Sequence, residues 1–270
     1  MTLSSFLLAA AINAAPISDS AHNFVTGLAA FSEGNDDQAY VTWHKLARQG
    51  DPRAQYSMAV MYELGRGVVH DYTEAARWYD LAANQGYAMA RNNLGMLHEA
   101  GLGVAQDYGK AFDYYQQAAD QGLPSAQYNL ALMYFEGLGV ARNFEQSAHW
   151  LRRSAEQGFA SAQYNLGVMY ENGYGVPQDN AEAARWYIEA IKWGATQATR
   201  NLKDLLEDKA TAVVTQSQVA VHQAPDNGSA EVSHVATGVT VYTLKTDGVW
   251  SAIVLDDRKT IGWIEQRYLE

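Results

Sequence analysis

Residues 123–158 read LPSAQYNLALMYFEGLGVARNFEQSAHWLRRSAEQG, and the outline of this text recurs before and after it at a step of 36. Glycine stands at 50, 86, 122, 158 and 194. Ala54, Ala90, Ala126, Ala162 and Ala198 keep the same step, as do Gly65, Gly101, Gly137 and Gly173, then Gly67, Gly103, Gly139 and Gly175, then Val68, Val104, Val140 and Val176. A chain of in-phase copies is a stack of one supersecondary unit. Such a stack presents a long ordered surface rather than one deep pocket, so a binding platform is the first expectation.

Each copy reads helix, turn, helix. In the first, Ala54, Met58, Met61 and Tyr62 form a helical stripe over Pro52–Leu64, with proline tolerated in the first turn because it has no N–H to lose. Gly65-Arg66-Gly67 stops it, since glycine adopts the left-handed conformation that a β-carbon penalises. Asp71 is the expected N-cap of a second helix carrying Ala75, Ala76, Trp78, Tyr79, Ala82 and Ala83. Neither helix can bury its apolar face alone, so each copy leans on the next. Four full copies cover 51–194. A partial N-terminal repeat at 20–50 precedes them, with Ala39, Trp43, Leu46 and Ala47 in its second helix, and a capping helix at 195–209 follows, with Ala198, Leu202, Leu205 and Leu206 on one face.

These columns resemble the Sel-1-like repeat, a relative of the tetratricopeptide repeat. The third copy carries the likeness best: Ser125 to Ala131, Tyr134, Gly137-Leu-Gly-Val140 and Ala148-His-Trp150. The resemblance implies an all-α, right-handed superhelical solenoid of helix pairs that acts as an adaptor, often in bacterial envelope or signalling complexes. Cysteine-rich members clamp each repeat with a disulfide; this chain has no cysteine.

After about residue 210 the period stops, and β-branched and aromatic residues alternate with polar ones between turn signals at Pro225 to Gly228, Asp247-Gly248 and Asp256-Asp257. The expectation is a small all-β barrel. Its order resembles the bacterial SH3-like domain over 213–269: Gly238-Val-Thr-Val, Gly248-Val-Trp250, Gly262-Trp-Ile264 and Tyr268-Leu269. His222 and Gln223 stand where the family pattern has an arginine. That resemblance implies binding of cell-wall peptides or extended protein segments. Tyr242, Trp250 and Tyr268 are the candidate groove aromatics, whereas Trp263, between Gly262 and Ile264, is expected in the core.

Residues 1–15 read as a signal peptide: Leu3 to Ile12 is apolar and runs into small residues, although no Lys or Arg precedes Lys45 to form a basic n-region. This favours a periplasmic or secreted protein, the alternative being the tail of a cytoplasmic one. No apolar run approaches the roughly 18 residues of a membrane span. The formal charge of −11 opposes nucleic-acid binding. HExxH, GxSxG and Ser-x-x-Lys are absent, and the Gly-x-Gly pairs follow helices rather than strands, so no enzyme, metal site or cofactor is expected. His98 shares the column of Tyr62, Tyr134 and Tyr170 and reads as a packing substitute; Glu63, Glu99 and Glu171 beside it read as solvated or paired with cations.

The candidate partner-binding residues of the solenoid lie on the first helices, which line the concave face in related superhelices. They are Asn93, Asn129 and Asn165, able to bond a bound chain's backbone or else tie helices together, with Arg53 and Arg91. The functional expectation is a non-enzymatic envelope adaptor, with a protein partner on the concave face and peptidoglycan peptide or protein at the SH3-like domain. The alternative is a regulator or inhibitor of a wall-modifying enzyme or a toxin.

Overall fold

The computed structural model describes residues 19–207, 209–255 and 259–270, so the expected signal peptide and the Asp256-Asp257 turn lie outside the described residues. Helices come in pairs at the repeat step: α1 (Asp19–Ser32) with α2 (Asp36–Arg48), α3 (Pro52–Leu64) with α4 (Tyr72–Asn84), α5 (Ala88–Ala100) with α6 (Tyr108–Asp120), α7 (Pro124–Glu136) with α8 (Phe144–Glu156), and α9 (Ala160–Asn172) with α10 (Asn180–Lys192). A single helix, α11 (Thr196–Glu207), follows. The chain divides into two compact units, the first of residues up to 133 with 137–141, the second of 134–136 with 142–270.

Helix ends follow from single residues. Asp71, Asp107, Asn143 and Asp179 cap the second helices, their side-chain oxygens accepting from backbone N–H groups of the first turn. Gly65, at φ +65°, ends α3 in the left-handed region. The second glycine of each turn has a further task. A β-carbon on Gly103 would lie 2.2 Å from the Tyr72 carbonyl carbon, one on Gly139 2.2 Å from the Tyr108 oxygen, and one on Gly175 2.2 Å from the Phe144 carbonyl carbon. Each turn therefore presses its bare backbone onto the start of the preceding copy's second helix.

In the first unit one buried cluster runs through α1 to α5 and includes Trp43, Met58, Tyr79 and Leu97. Trp43 Nε1 donates to the Phe24 carbonyl at 3.2 Å, and the rings of Phe24 and Phe31 flank the indole. His98 is buried and stacks on Tyr114 at 5.7 Å, consistent with a packing role.

The C-terminal strands are β1 (Thr211–Val213), β2 (Val219–His222), β3 (Glu231–Val235), β4 (Thr240–Asp247), β5 (Trp250–Leu255) and β6 (Ile261–Glu265), then a 3-10 turn at Gln266–Tyr268. They form one antiparallel sheet in the order β1-β4-β5-β6-β2-β3. The sheet is not closed into the expected barrel. Closure would need β1 to meet β3, whereas Val213 of β1 exchanges both backbone bonds with Glu270, at 2.7 and 3.0 Å.

The sheet has two apolar faces. Val219, Val221, Val235, Val241, Ile253 and Ile264 fill its own core. On the opposite face Val254 joins the cluster of Ala183, Tyr187, Ile188, Leu202 and Leu206 from α10 and α11, with Tyr242, Leu244 and Ile261 packed against it. Lys245 Nζ reaches Asp179 Oδ2 at 2.6 Å. Burial pushes the Asp179 carboxyl up, but the bonds from Lys245 and from the N–H groups of Glu182 and Ala181 outweigh it and hold the group below the usual carboxylate range. The strands thus share a core with the last helices and do not hang from them as a tethered module.

A contrast of two glycines tests the junction. Gly122, at φ +89°, has open space where a β-carbon would go, so Gly122→Ala should cost only the left-handed penalty of about 1–2 kcal/mol. Gly103→Ala adds overlap with backbone that cannot move aside and should cost more than about 4 kcal/mol. Urea midpoints of the two variants report the difference.

Candidate functional site

Within the repeats the recurrent polar columns bond to one another. Tyr79 on α4 donates its hydroxyl to Glu63 Oε2 on α3 at 2.5 Å and accepts from Asn93 Nδ2 on α5 at 2.9 Å, so one phenol joins three helices. Tyr187 does the same between Glu171 on α9 and Asn201 on α11. Tyr115 donates to Glu99 at 2.6 Å. Burial first, then the adjacent carboxylate, pushes the Tyr79, Tyr115 and Tyr187 hydroxyls well above the ordinary phenol range, keeping them as donors. The three glutamates are therefore neither simply solvated nor paired with cations; their partners are the hydroxyls of nearly or fully buried tyrosines.

The third copy lacks both members, having Phe135 for the glutamate and Leu151 for the tyrosine. There Phe135, Phe144 and Tyr174 form an aromatic trio with centroids 5.1–6.0 Å apart. This joint loss is the signal by which the pair could have been found from sequence.

The expected groove residues of the solenoid are thus engaged within the fold. Asn93 holds Tyr79, and Asn129 Nδ2 donates to Asn92 Oδ1 at 3.0 Å. Asn165 is half-buried on α9. Arg53 pairs with Asp51 at 2.6 Å and lies over the Phe24 ring at 4.8 Å, and Arg91 Nε donates to the Ala83 carbonyl at 3.1 Å.

On the sheet, a cleft of about 320 Å³ is lined by Gln218, His222, Trp250, Glu265, Arg267 and Tyr268. The Trp250 ring meets His222 edge-on at 5.2 Å, and His222 Nδ1 lies 3.4 Å from the Ser229 carbonyl. Arg267 pairs with Glu265 at 2.8 Å and covers the Tyr268 ring at 4.8 Å, so a guanidinium reaches this cleft from the 3-10 turn. Gln218 borders it at φ +59°, the one non-glycine residue with positive φ among the described residues.

Of the three expected groove aromatics, the cleft brings together Trp250 and Tyr268 but not Tyr242. Strand alternation puts Val241 in the sheet's core and Tyr242 on the other face, against the helices. Trp250 is only 7% exposed, so its ring offers an edge rather than a platform. The expectation of a core Trp263 is not met: Gly262 and Ile264 take the buried positions of β6, and Trp263 is only partly buried. A β-carbon at 262 would lie 2.4 Å from Val221 Cγ1, so no larger residue fits the inward position.

Residues 52–87, 88–123, 124–159 and 160–192 each match the model of the Sel1 repeat family. This chain is a Sel1 repeat protein. Proteins of this family are usually non-catalytic binding proteins. A solved Sel1 repeat protein from Oxalobacter formigenes is 32% identical at a TM-score of 0.64, over 68% of this Sel1 chain and 73% of the other. A protective antigen present in uropathogenic Escherichia coli strains is 30% identical at 0.66, over 76% of this chain and 44% of its own. An immunity protein from Pseudomonas aeruginosa is 22% identical at 0.47, over 68% and 70%. No curated protein sequence matches. Among the described residues no helix is long and apolar enough to cross a membrane, and no group of three or more His, Cys, Asp or Glu could hold a metal ion.

Tyr115→Phe should cost about 1–3 kcal/mol, because it strips the Glu99 carboxylate of its buried donor. Pairing Tyr115→Leu with Glu99→Phe copies the third repeat's solution. The double variant should lose less stability than its two single changes added together, a coupling that a double-mutant cycle in urea measures directly.

Proposed function

We infer that this Sel1 repeat protein is a non-enzymatic scaffold of the bacterial cell envelope, its repeats holding a protein partner and its C-terminal sheet, read as SH3-like, holding a wall peptide or an extended protein segment. One observation carries the reading. The recurrent Asn, Tyr and Glu columns are largely spent on one another, while the positions that vary between copies supply exposed apolar side chains: Val69 at 87%, Met96 at 48%, Tyr174 at 39% and Trp193 at 57%. Varying exposed apolar residues on a regular frame suit protein recognition, since aromatic and Met side chains give contact area that charged ones do not. The apolar stretch Leu3 to Ile12 supports export to the periplasm. On the sheet, Arg267, Tyr268, His222 and Gln218 converge on one cleft, which suits a short polar peptide.

A photo-crosslinking residue placed at Met96 in the native host, followed by mass spectrometry, should capture a wall-assembly, secretion or motility component. Capture of a wall hydrolase that loses activity on binding would instead make the protein an inhibitor.

The wall-peptide role is checked with the full chain, because α10 and α11 cover one face of the sheet. The protein should sediment with purified peptidoglycan, and Arg267→Ala with Tyr268→Ala should release it. A full chain that stays in the supernatant at low and moderate salt removes the wall-binding role.

A further inference from the structure

The pair Asn-Gly occurs twice in the chain, at Asn172-Gly173 and at Asn227-Gly228. It is the least durable setting for an asparagine. The backbone nitrogen of the next residue can attack the side-chain amide carbon, and a glycine puts no side chain in the way. All four residues are exposed, so access to water does not separate the two pairs. What separates them is the backbone.

Asn172 is the last residue of α9. The Met169 carbonyl accepts the Gly173 N–H, and Asn172 Nδ2 donates to the Val168 carbonyl at 2.9 Å. Attack there would have to break both bonds and unwind the end of the helix. Asn227 stands instead in the turn that joins β2 to β3. The Gly228 N–H donates to a side chain, Asp226 Oδ1, at 2.8 Å. Asp226 is itself held in place: its N–H donates to the Ala224 carbonyl at 2.8 Å, and its carbonyl accepts from Ser229 Oγ at 3.0 Å. A carboxylate oxygen therefore sits within hydrogen-bond reach of the one proton that must leave before the nitrogen attacks, which is the position of a general base. Asn227 also lines the cleft of Trp250, Arg267 and Tyr268.

We propose that Asn227 is a site of self-modification, converted to aspartate and isoaspartate with Asp226 as the base, and that the conversion recharges the cleft. Asp226 takes the Gly228 proton as the nitrogen bonds to the Asn227 side-chain carbon and closes a succinimide ring. The bond from that carbon to the side-chain nitrogen breaks, and ammonia leaves with the returned proton. Water then opens the ring at either carbonyl, giving isoaspartate or aspartate. Among the described residues the fixed charges of the cleft lining are Arg267 and Glu265, so a new carboxylate turns a balanced lining negative.

The full chain is incubated in neutral buffer and digested, and the peptides holding positions 172 and 227 are followed by mass spectrometry with fragmentation that distinguishes isoaspartate. Position 227 should convert about tenfold faster than 172, or more. Asp226→Ser keeps a turn-forming oxygen but is a far weaker base; it should slow conversion at 227 about tenfold in neutral buffer, and less in alkaline buffer, where hydroxide takes the proton. Gly228→Ala should slow it as well and keep the fold, since the added β-carbon meets only Asp226 Oδ1, at 3.2 Å. Equal rates at 172 and 227 overturn the proposal, as does an unchanged rate in Asp226→Ser. The recharging of the cleft rests on its wall-peptide reading: Asn227→Asp should sediment less with peptidoglycan than the unconverted chain, and equal sedimentation overturns it. An unconverted chain that does not sediment refutes the wall-peptide reading, while the conversion rates still decide the modification.

Discussion

The contact on which the repeats depend has no side chain on one of its two sides. The second glycine of each Gly-x-Gly turn rests on the first peptide of the preceding copy's second helix, so close that a single β-carbon would overlap backbone atoms. Backbone cannot rotate away as a side chain can, and this makes the position stricter than the C-capping glycine two residues earlier. It also sets the spacing between neighbouring copies, because turn and helix start are pressed together at a fixed distance. The alanine columns, Ala54, Ala90, Ala126 and Ala162, are fully buried in keeping with that closeness.

Given this spacing, the polar columns have a use that composition hides. A buried phenol must find a partner, and Tyr79 and Tyr187 find two, a glutamate behind and an asparagine ahead. The bond therefore crosses from one copy to the next helix and adds directionality to packing that hydrophobic burial alone leaves loose. Asparagines that stand in register along the first helices are, for this reason, mostly fasteners. In the function proposed above, recognition is assigned to the residues that differ between copies.

The sheet changes the functional picture for a similar reason. A small β-domain on a flexible tether would act as an independent attachment, its contribution set by effective concentration. Here one apolar face of the sheet rests on α10 and α11, with Val254 inside the helical cluster and Lys245 bonded to Asp179. The same docking hides Tyr242 and creates a cleft with walls from both a helix and the sheet, a surface that neither element has alone.

By itself the sequence determined what depends on near neighbours along the chain. The period of 36, the helix over 52–64, the Asp71 cap and the glycine stops were legible because spacing, caps and left-handed glycines act within a turn or two. The pairing of glutamate with tyrosine was latent in its joint loss at Phe135 and Leu151, but that Glu63 meets Tyr79 16 positions away needed helices already packed. Only the tertiary structure decided which tryptophan of the sheet is buried, because an alternating strand can turn either parity inward, and the lack of room beside Val221 lets only Gly262 do so. It also decided that the sheet stays open, since β1 lies between β4 and Glu270 while β3 pairs with β2, contacts between residues far apart in the chain whose meeting no local pattern encodes.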